Sequence, residues 1–233
     1  MRAMASWDRG PAEIRLSGRA DDVPLARWGL RRPGPVLVVV GTTAALGPEL
    51  HEALLPMFAA AVAAAGQRDA ALVTGGTDVG VFHVLGSALS SAARPPQVVV
   101  GVAPDRLVGG QAPVAPQLSL LVRVPGSAWG DETPALSDVV ARLSGRSPAV
   151  VLLAGGGEVS RAELVEHLGR GRSVAVVAGT GRLADDVARR HAEAETEDDL
   201  GALLADGDVH IVTLEDGPLR LHDVLTALLT PPR

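Results

Sequence analysis

The chain is 233 residues long, 47% hydrophobic, with a formal net charge of −6 and a pI near 5.5. That is a composition for a globular core, not for a fibrous or disordered chain, and its acidic balance argues against nucleic acid and anionic membrane surfaces as partners. Neither cysteine nor lysine occurs, which excludes disulfides, thiolate chemistry, a Schiff-base lysine and a P-loop lysine. Any bound anion must therefore meet arginine forks, backbone amides or helix N-termini.

The first 34 residues scatter apolar positions among charges, with Trp7 and Trp28 between them. They are expected to form an irregular or two-stranded lead-in packed on the sheet. Asp8, Glu13, Asp21 and Asp22 stand where a secretory leader would be apolar, and the longest apolar run, 57–65, is far short of the roughly twenty residues of a membrane span. A cytoplasmic protein is expected. Valine-rich runs closed by glycine follow at 36–40, 71–74, 98–102, 150–154, 174–178 and 209–214, the pattern of strands buried on both faces of a parallel sheet. Helical periodicity separates most of them, at 48–65, 81–92, 133–143, 161–168 and 183–191, with a last segment at 221–229. The run 118–124 has a strand's composition but lies between glycine- and proline-rich loops at 109–116 and 125–133. The alanine-rich segment 59–65 is expected to let a neighbouring element approach closely. Strand and helix in alternation predict an α/β fold: a doubly wound, mostly parallel sheet with helices on both faces, in one domain.

In such sheets ligands bind beyond the carboxyl ends of the strands. The residues there are Gly41-Thr42-Thr43, Gly75-Gly76-Thr77-Asp78-Val79-Gly80, Gly101-Val102-Ala103-Pro104, Gly155-Gly156-Gly157-Glu158 and Gly179-Thr180-Gly181-Arg182, all on one edge. One such turn is an ordinary way to start a βα loop; several on one edge point to a phosphate-bearing ligand, held by outward-facing amides and helix dipoles. Thr42, Thr77 and Thr180 add hydroxyl donors. Arg182 opposes the dipole at a helix start, so it reads as a phosphate or pyrophosphate contact, whereas Asp185 and Asp186 suit that first turn as well as they suit a ribose. Glu158, in the glycine loop, is expected to face the ligand; Glu163 reads as a solvated first-turn acid, and Asp78 as a cap for the helix beginning near Val79. His83, one turn into that helix, and Arg106, after the third run, are further contact candidates against ordinary surface roles. The six histidines lack zinc-site spacing, so no metal is expected. The order TGGTDVG lacks the dinucleotide fingerprint, and no G-x-S-x-G elbow occurs, which argues against a standard dehydrogenase and an esterase.

The segment LVTGGTDVGVFHVLGSAL (72–89) resembles the strand, glycine-turn and helix signature of the SLOG superfamily. The branch it resembles is LSDAT, found in bacteria and in the N-terminal cytosolic region of melastatin-type TRP channels. VVLLAGGGEVSRAELVEHLGRGRSVAVVAGTGRLADDVARRHA (150–192) is similar to the family's glycine-rich loop, helix, strand and G-[ST]-G-R-x-[AS]-D turn, and Trp28 precedes the first strand as in its lead-in. The resemblance implies a single Rossmann-like, nucleotide-binding domain over residues 1–233, with 1–34 as the lead-in. Its ligand would be a small nucleotide derivative, ADP-ribose or an NAD-related compound, with no further cofactor required. Carried over by motif, that ligand would meet Gly75, Gly76, Thr77, Gly80, Gly155, Gly156, Gly157, Gly179, Thr180, Gly181 and Arg182. With no channel attached, a signal would leave through a homo-oligomer or an effector protein. The superfamily also contains phosphoribohydrolases with the signature P-G-G-x-G-T-x-x-E. Here Gly156, Gly157 and Glu163 keep the glycine pair and final glutamate, while Gly155, Val159 and Ser160 replace the proline, glycine and threonine. The alternative implied is cleavage of a nucleotide's N-glycosidic bond, with Glu158 or Glu163 catalytic.

Overall fold

The computed structural model describes residues 10–17 and 19–231, so Trp7 lies outside the described residues. In chain order the strands are β1 (Ala12–Arg15), β2 (Val36–Gly41), β3 (Ala71–Thr74), β4 (Val99–Pro104), β5 (Leu120–Val124), β6 (Ala149–Ala154), β7 (Ser173–Ala178) and β8 (Val209–Thr213). The helices are α1 (Pro48–Gln67), α2 (Val81–Ser91), α3 (Thr133–Ser144), α4 (Glu158–Gly169), α5 (Arg182–Glu193), α6 (Asp199–Asp206) and α7 (Gly217–Leu228).

All eight strands form one sheet in the order β1-β5-β4-β3-β2-β6-β7-β8, and every pairing is parallel. The inner strands explain themselves: β2 is VLVVVG with all positions buried, because helices cover both faces. Leu37 and Val39 point into a core made with α1, α2 and α7, while Val36, Val38 and Val40 point into one made with α3, α4, α5 and α6. Each buried valine or leucine contributes about 1.5–3 kcal/mol relative to exposure, so alternation along one strand fastens both helical layers. The alanines of α1 do as expected: Ala61, Ala64 and Ala65 are fully buried on the face shared with α2 and α7. Chain connection runs from β2 outward through β3 and β4 to β5, then crosses back to β6 beside β2. The strand order thus reverses between β2 and β6, and this doubly wound, Rossmann-like sheet has its crevice there.

Three expectations need correction. For the lead-in, expected to be irregular or two-stranded, the described residues contribute one strand: β1 pairs with β5 at the sheet edge, followed by 3-10 turns at Ala20–Asp22 and Leu25–Trp28. Trp28 is buried under the second core and its indole N–H donates to the Val23 carbonyl at 3.2 Å. Gly101 and its successors are not a loop but the body of β4, where a Cβ on Gly101 would stand 2.5 Å from the Gly76 Cα. Helix α6, not anticipated, is N-capped by Asp198, whose carboxylate accepts from the Gly201 amide at 2.8 Å. The run 118–124 contains β5. No helix among the described residues is long and apolar enough to cross a membrane.

Candidate functional site

At the reversal point the loops after β2, β3 and β6 enclose a cavity of about 500 Å³, within the range of small-molecule sites. Gly41, Thr42 and Thr43 form its floor, Gly75 and Thr77 one wall, and Gly157, Glu158 and Arg182 the other. The floor is shaped by backbone proximity. Gly41 lies against β6 and α2, where a Cβ would meet the Ala154 carbonyl at 2.4 Å and Val81 at 2.6 Å, and the Ser160 hydroxyl donates to its carbonyl at 3.1 Å.

Arg182 opens α5 with φ +57°, a left-handed conformation that a non-glycine residue adopts at a cost. The turn aims its guanidinium across the crevice, where Nη1 donates to the Thr42 hydroxyl at 3.0 Å. Helix α4 starts at Glu158 after Gly157 with no side-chain cap, so its first amides and dipole face the cavity, a natural place for a phosphate. Thr77 adds a buried hydroxyl with no hydrogen-bond partner among the described residues.

Glu163 is not the solvated acid expected from sequence. It is 7% exposed, lines the cavity, and accepts no hydrogen bond from the protein among the described residues. Burial, reinforced by the negative charge of Glu132, pushes its carboxyl from 4.5 up to about 8. Glu132 is buried too; desolvation raises it, while the Gly130 amide donating to its carboxylate at 2.7 Å pulls the other way. Glu158, at the start of α4, is exposed at the rim.

The cavity thus brings together Gly41, Thr42, Gly75, Thr77, Gly157, Glu158, Glu163 and Arg182. Other candidates stand behind it or away from it. Thr180 is occupied internally, donating to the Val177 carbonyl at 2.6 Å and accepting from the Gly155 amide at 2.8 Å, so it ties the β7 loop to the β6 loop. Gly155 and Gly156 back onto Thr42 and Ser160, Gly76 onto β4, and Gly179 onto Leu214, while Gly181 only precedes the turn into α5. At Gly80 a Cβ would fall 2.1 Å from the Thr42 carbonyl, so that glycine lets α2 dock on the floor. His83 is exposed outside the cavity and pairs with Asp78 at 3.0 Å; Asp78 therefore does not cap α2. Arg106 is exposed beyond β4 and outside the cavity. Asp185 lies in the first turn of α5, and its carboxylate accepts from the Gly179 amide at 2.7 Å. Sequence reasoning did not single out Trp129, Glu132, Gln111 or Ala112, all of which line the cavity from the two loops flanking β5. No group of acidic or histidine side chains suited to a metal ion occurs among the described residues.

A crevice at the reversal of a doubly wound sheet, glycine-lined and furnished with an arginine and an open helix start, defines a Rossmann-like domain of the kind that takes nucleotide-related ligands. Residues 34–222 match the family described as SLOG in TRPM, prokaryote, and the chain belongs to that family. The X-ray structure of TM1055, a structural genomics target, is similar over 82% of this chain and 99% of its own, at 19% identity and a TM-score of 0.58. At that identity the likeness concerns the fold. No curated protein matches the chain.

Proposed function

We propose that the protein binds a nucleotide-derived small molecule, of the ADP-ribose or NAD-related class, in the crevice between β2 and β6. One observation carries this reading: Arg182, held in a left-handed turn, converges with the uncapped start of α4 on one wall of a cavity of about 500 Å³. Strain of that kind persists where the surroundings over-determine it, and here it directs a guanidinium at the place a phosphate would occupy. Thr42, Thr43 and Thr77 line the same cavity. A thermal-shift panel of ADP-ribose, NAD, nicotinamide mononucleotide and AMP tests it. A ligand present at a hundred times its dissociation constant adds about 2.7 kcal/mol of stability; a panel without any shift defeats the proposal.

A second reading is favoured by Glu163. A carboxylic acid buried beside the ligand and still largely protonated near neutrality can hydrogen-bond or protonate a departing base. Its place in the glycine-pair motif is the one that resembles the catalytic glutamate of the phosphoribohydrolases. N-glycosidic hydrolysis would release free base on prolonged incubation of the same compounds, and Glu163→Gln would abolish the release. Intact nucleotide after incubation at saturation leaves binding alone.

A further inference from the structure

The cavity wall is poorly matched to a ligand that is anionic throughout. Among the described residues, Glu132, Glu158 and Glu163 line it against a single arginine, Arg182. Arg182 and the open start of α4 serve a phosphate, which leaves the end formed by Glu132 and Glu163 without a positive counterpart. Glu163 is the sharper case, a side chain more than nine-tenths buried that faces the cavity with no protein donor among the described residues. Such a group calls for a donor or a positive charge brought by the ligand.

Trp129 stands at the same end. It remains 38% exposed although its loop is firmly held. The Asp131 carboxylate accepts from the amides of Ser127 and Ala128 at 2.8 and 2.9 Å, and the Glu132 carboxylate accepts from Gly130 at 2.7 Å. Gly130 in turn abuts Val159 of α4, which seats the loop against the helix that carries Glu163. An indole presented on a braced loop at a cavity wall is a stacking surface, and its face attracts positive charge.

We propose that Trp129, Glu132 and Glu163 form a subsite for a cationic heterocycle, a ribosyl pyridinium of the nicotinamide type, whose phosphate lies at Arg182. The proposal rests on the nucleotide reading above and specifies the ring end of that ligand. A pyridinium offers its charge to the indole face and to the Glu132 carboxylate, favours the ionised form of Glu163 beside it, and a carboxamide substituent adds an N–H donor. A neutral purine brings donors but no charge, and gives the Glu163 carboxyl no reason to release its proton beside Glu132.

Titration calorimetry with nicotinamide mononucleotide and with AMP tests this on the wild type and on Trp129→Ala, Trp129→Phe and Glu132→Gln. The pyridinium nucleotide should bind more tightly to the wild type by about tenfold. Trp129→Ala and Glu132→Gln should erase that preference, and Trp129→Phe, which keeps an aromatic face, should retain part of it. Equal affinities in the wild type, or a preference that survives Trp129→Ala, overturn the ring subsite and leave the phosphate-anchored nucleotide reading standing. If neither compound binds the wild type, both fall together.

Discussion

Replacing Glu163 by glutamine should change stability in a way that depends on pH. In the unfolded chain this carboxyl titrates near 4.5; in the folded protein burial and Glu132 hold it at about 8. Between those values the folded state keeps a proton that the unfolded state has released. The contribution is therefore fully present below 4.5, is lost as pH rises toward about 8, and is flat above. At about 1.36 kcal/mol per pH unit the whole interval sets a ceiling of about 4–5 kcal/mol. Relaxation and water entry around the ionised group reduce this, so about 2–4 kcal/mol should be measurable. Glutamine has the same shape and no charge at any pH. Urea denaturation of both proteins from pH 5 to pH 9 isolates the effect, since every other titrating group is shared. The stability difference between Glu163→Gln and wild type should grow in favour of the variant across that range. A difference constant with pH would refute the account of a buried, protonated acid in the crevice.

Other perturbations separate structure from binding. Arg182→Gly should leave stability within about 1 kcal/mol of wild type, because glycine accepts φ +57° without strain, offsetting the lost bond to Thr42. Its affinity for a phosphorylated ligand should fall about 10- to 100-fold by calorimetry; unchanged affinity would remove the arginine from the site. Gly80→Ala should destabilise the fold by roughly 2 kcal/mol or more in a denaturant titration, since its Cβ would collide with the Thr42 carbonyl at 2.1 Å and φ is +55°. His167 is buried against Arg172 and pushed from 6.5 down to about 3. Its contribution is present above 6.5 and lost as pH falls toward 3, so His167→Gln should flatten the acid limb of the stability profile.

What could be read from the sequence follows from how locally each feature is determined. Strands such as 71–74 lie between two helical layers, so their apolar runs carry the whole signal. β1 carries little, because only Ile14 of its four residues is buried and it is completed by a distant partner, Arg123, bonded to Glu13. The glycine loops were legible as one edge, but not which glycines face a ligand and which make room for neighbouring backbone. Glu163 had a signal that could have placed it inward: Ser160, Glu163, Leu164, His167 and Leu168 recur at helical spacing and are the buried positions of α4. Trp129 and Glu132 had none, because their loop has no periodicity and meets the crevice only once the sheet is assembled.

The claim on which the rest depends is that the crevice between β2 and β6 holds a phosphate-bearing nucleotide derivative. A crystal grown with nicotinamide mononucleotide or ADP-ribose tests it most directly. The account predicts a phosphate in hydrogen-bond contact with the Arg182 guanidinium and the first amides of α4, and, for nicotinamide mononucleotide, the pyridinium ring turned toward Trp129. A nucleotide bound anywhere else, with this crevice holding only solvent, would contradict it.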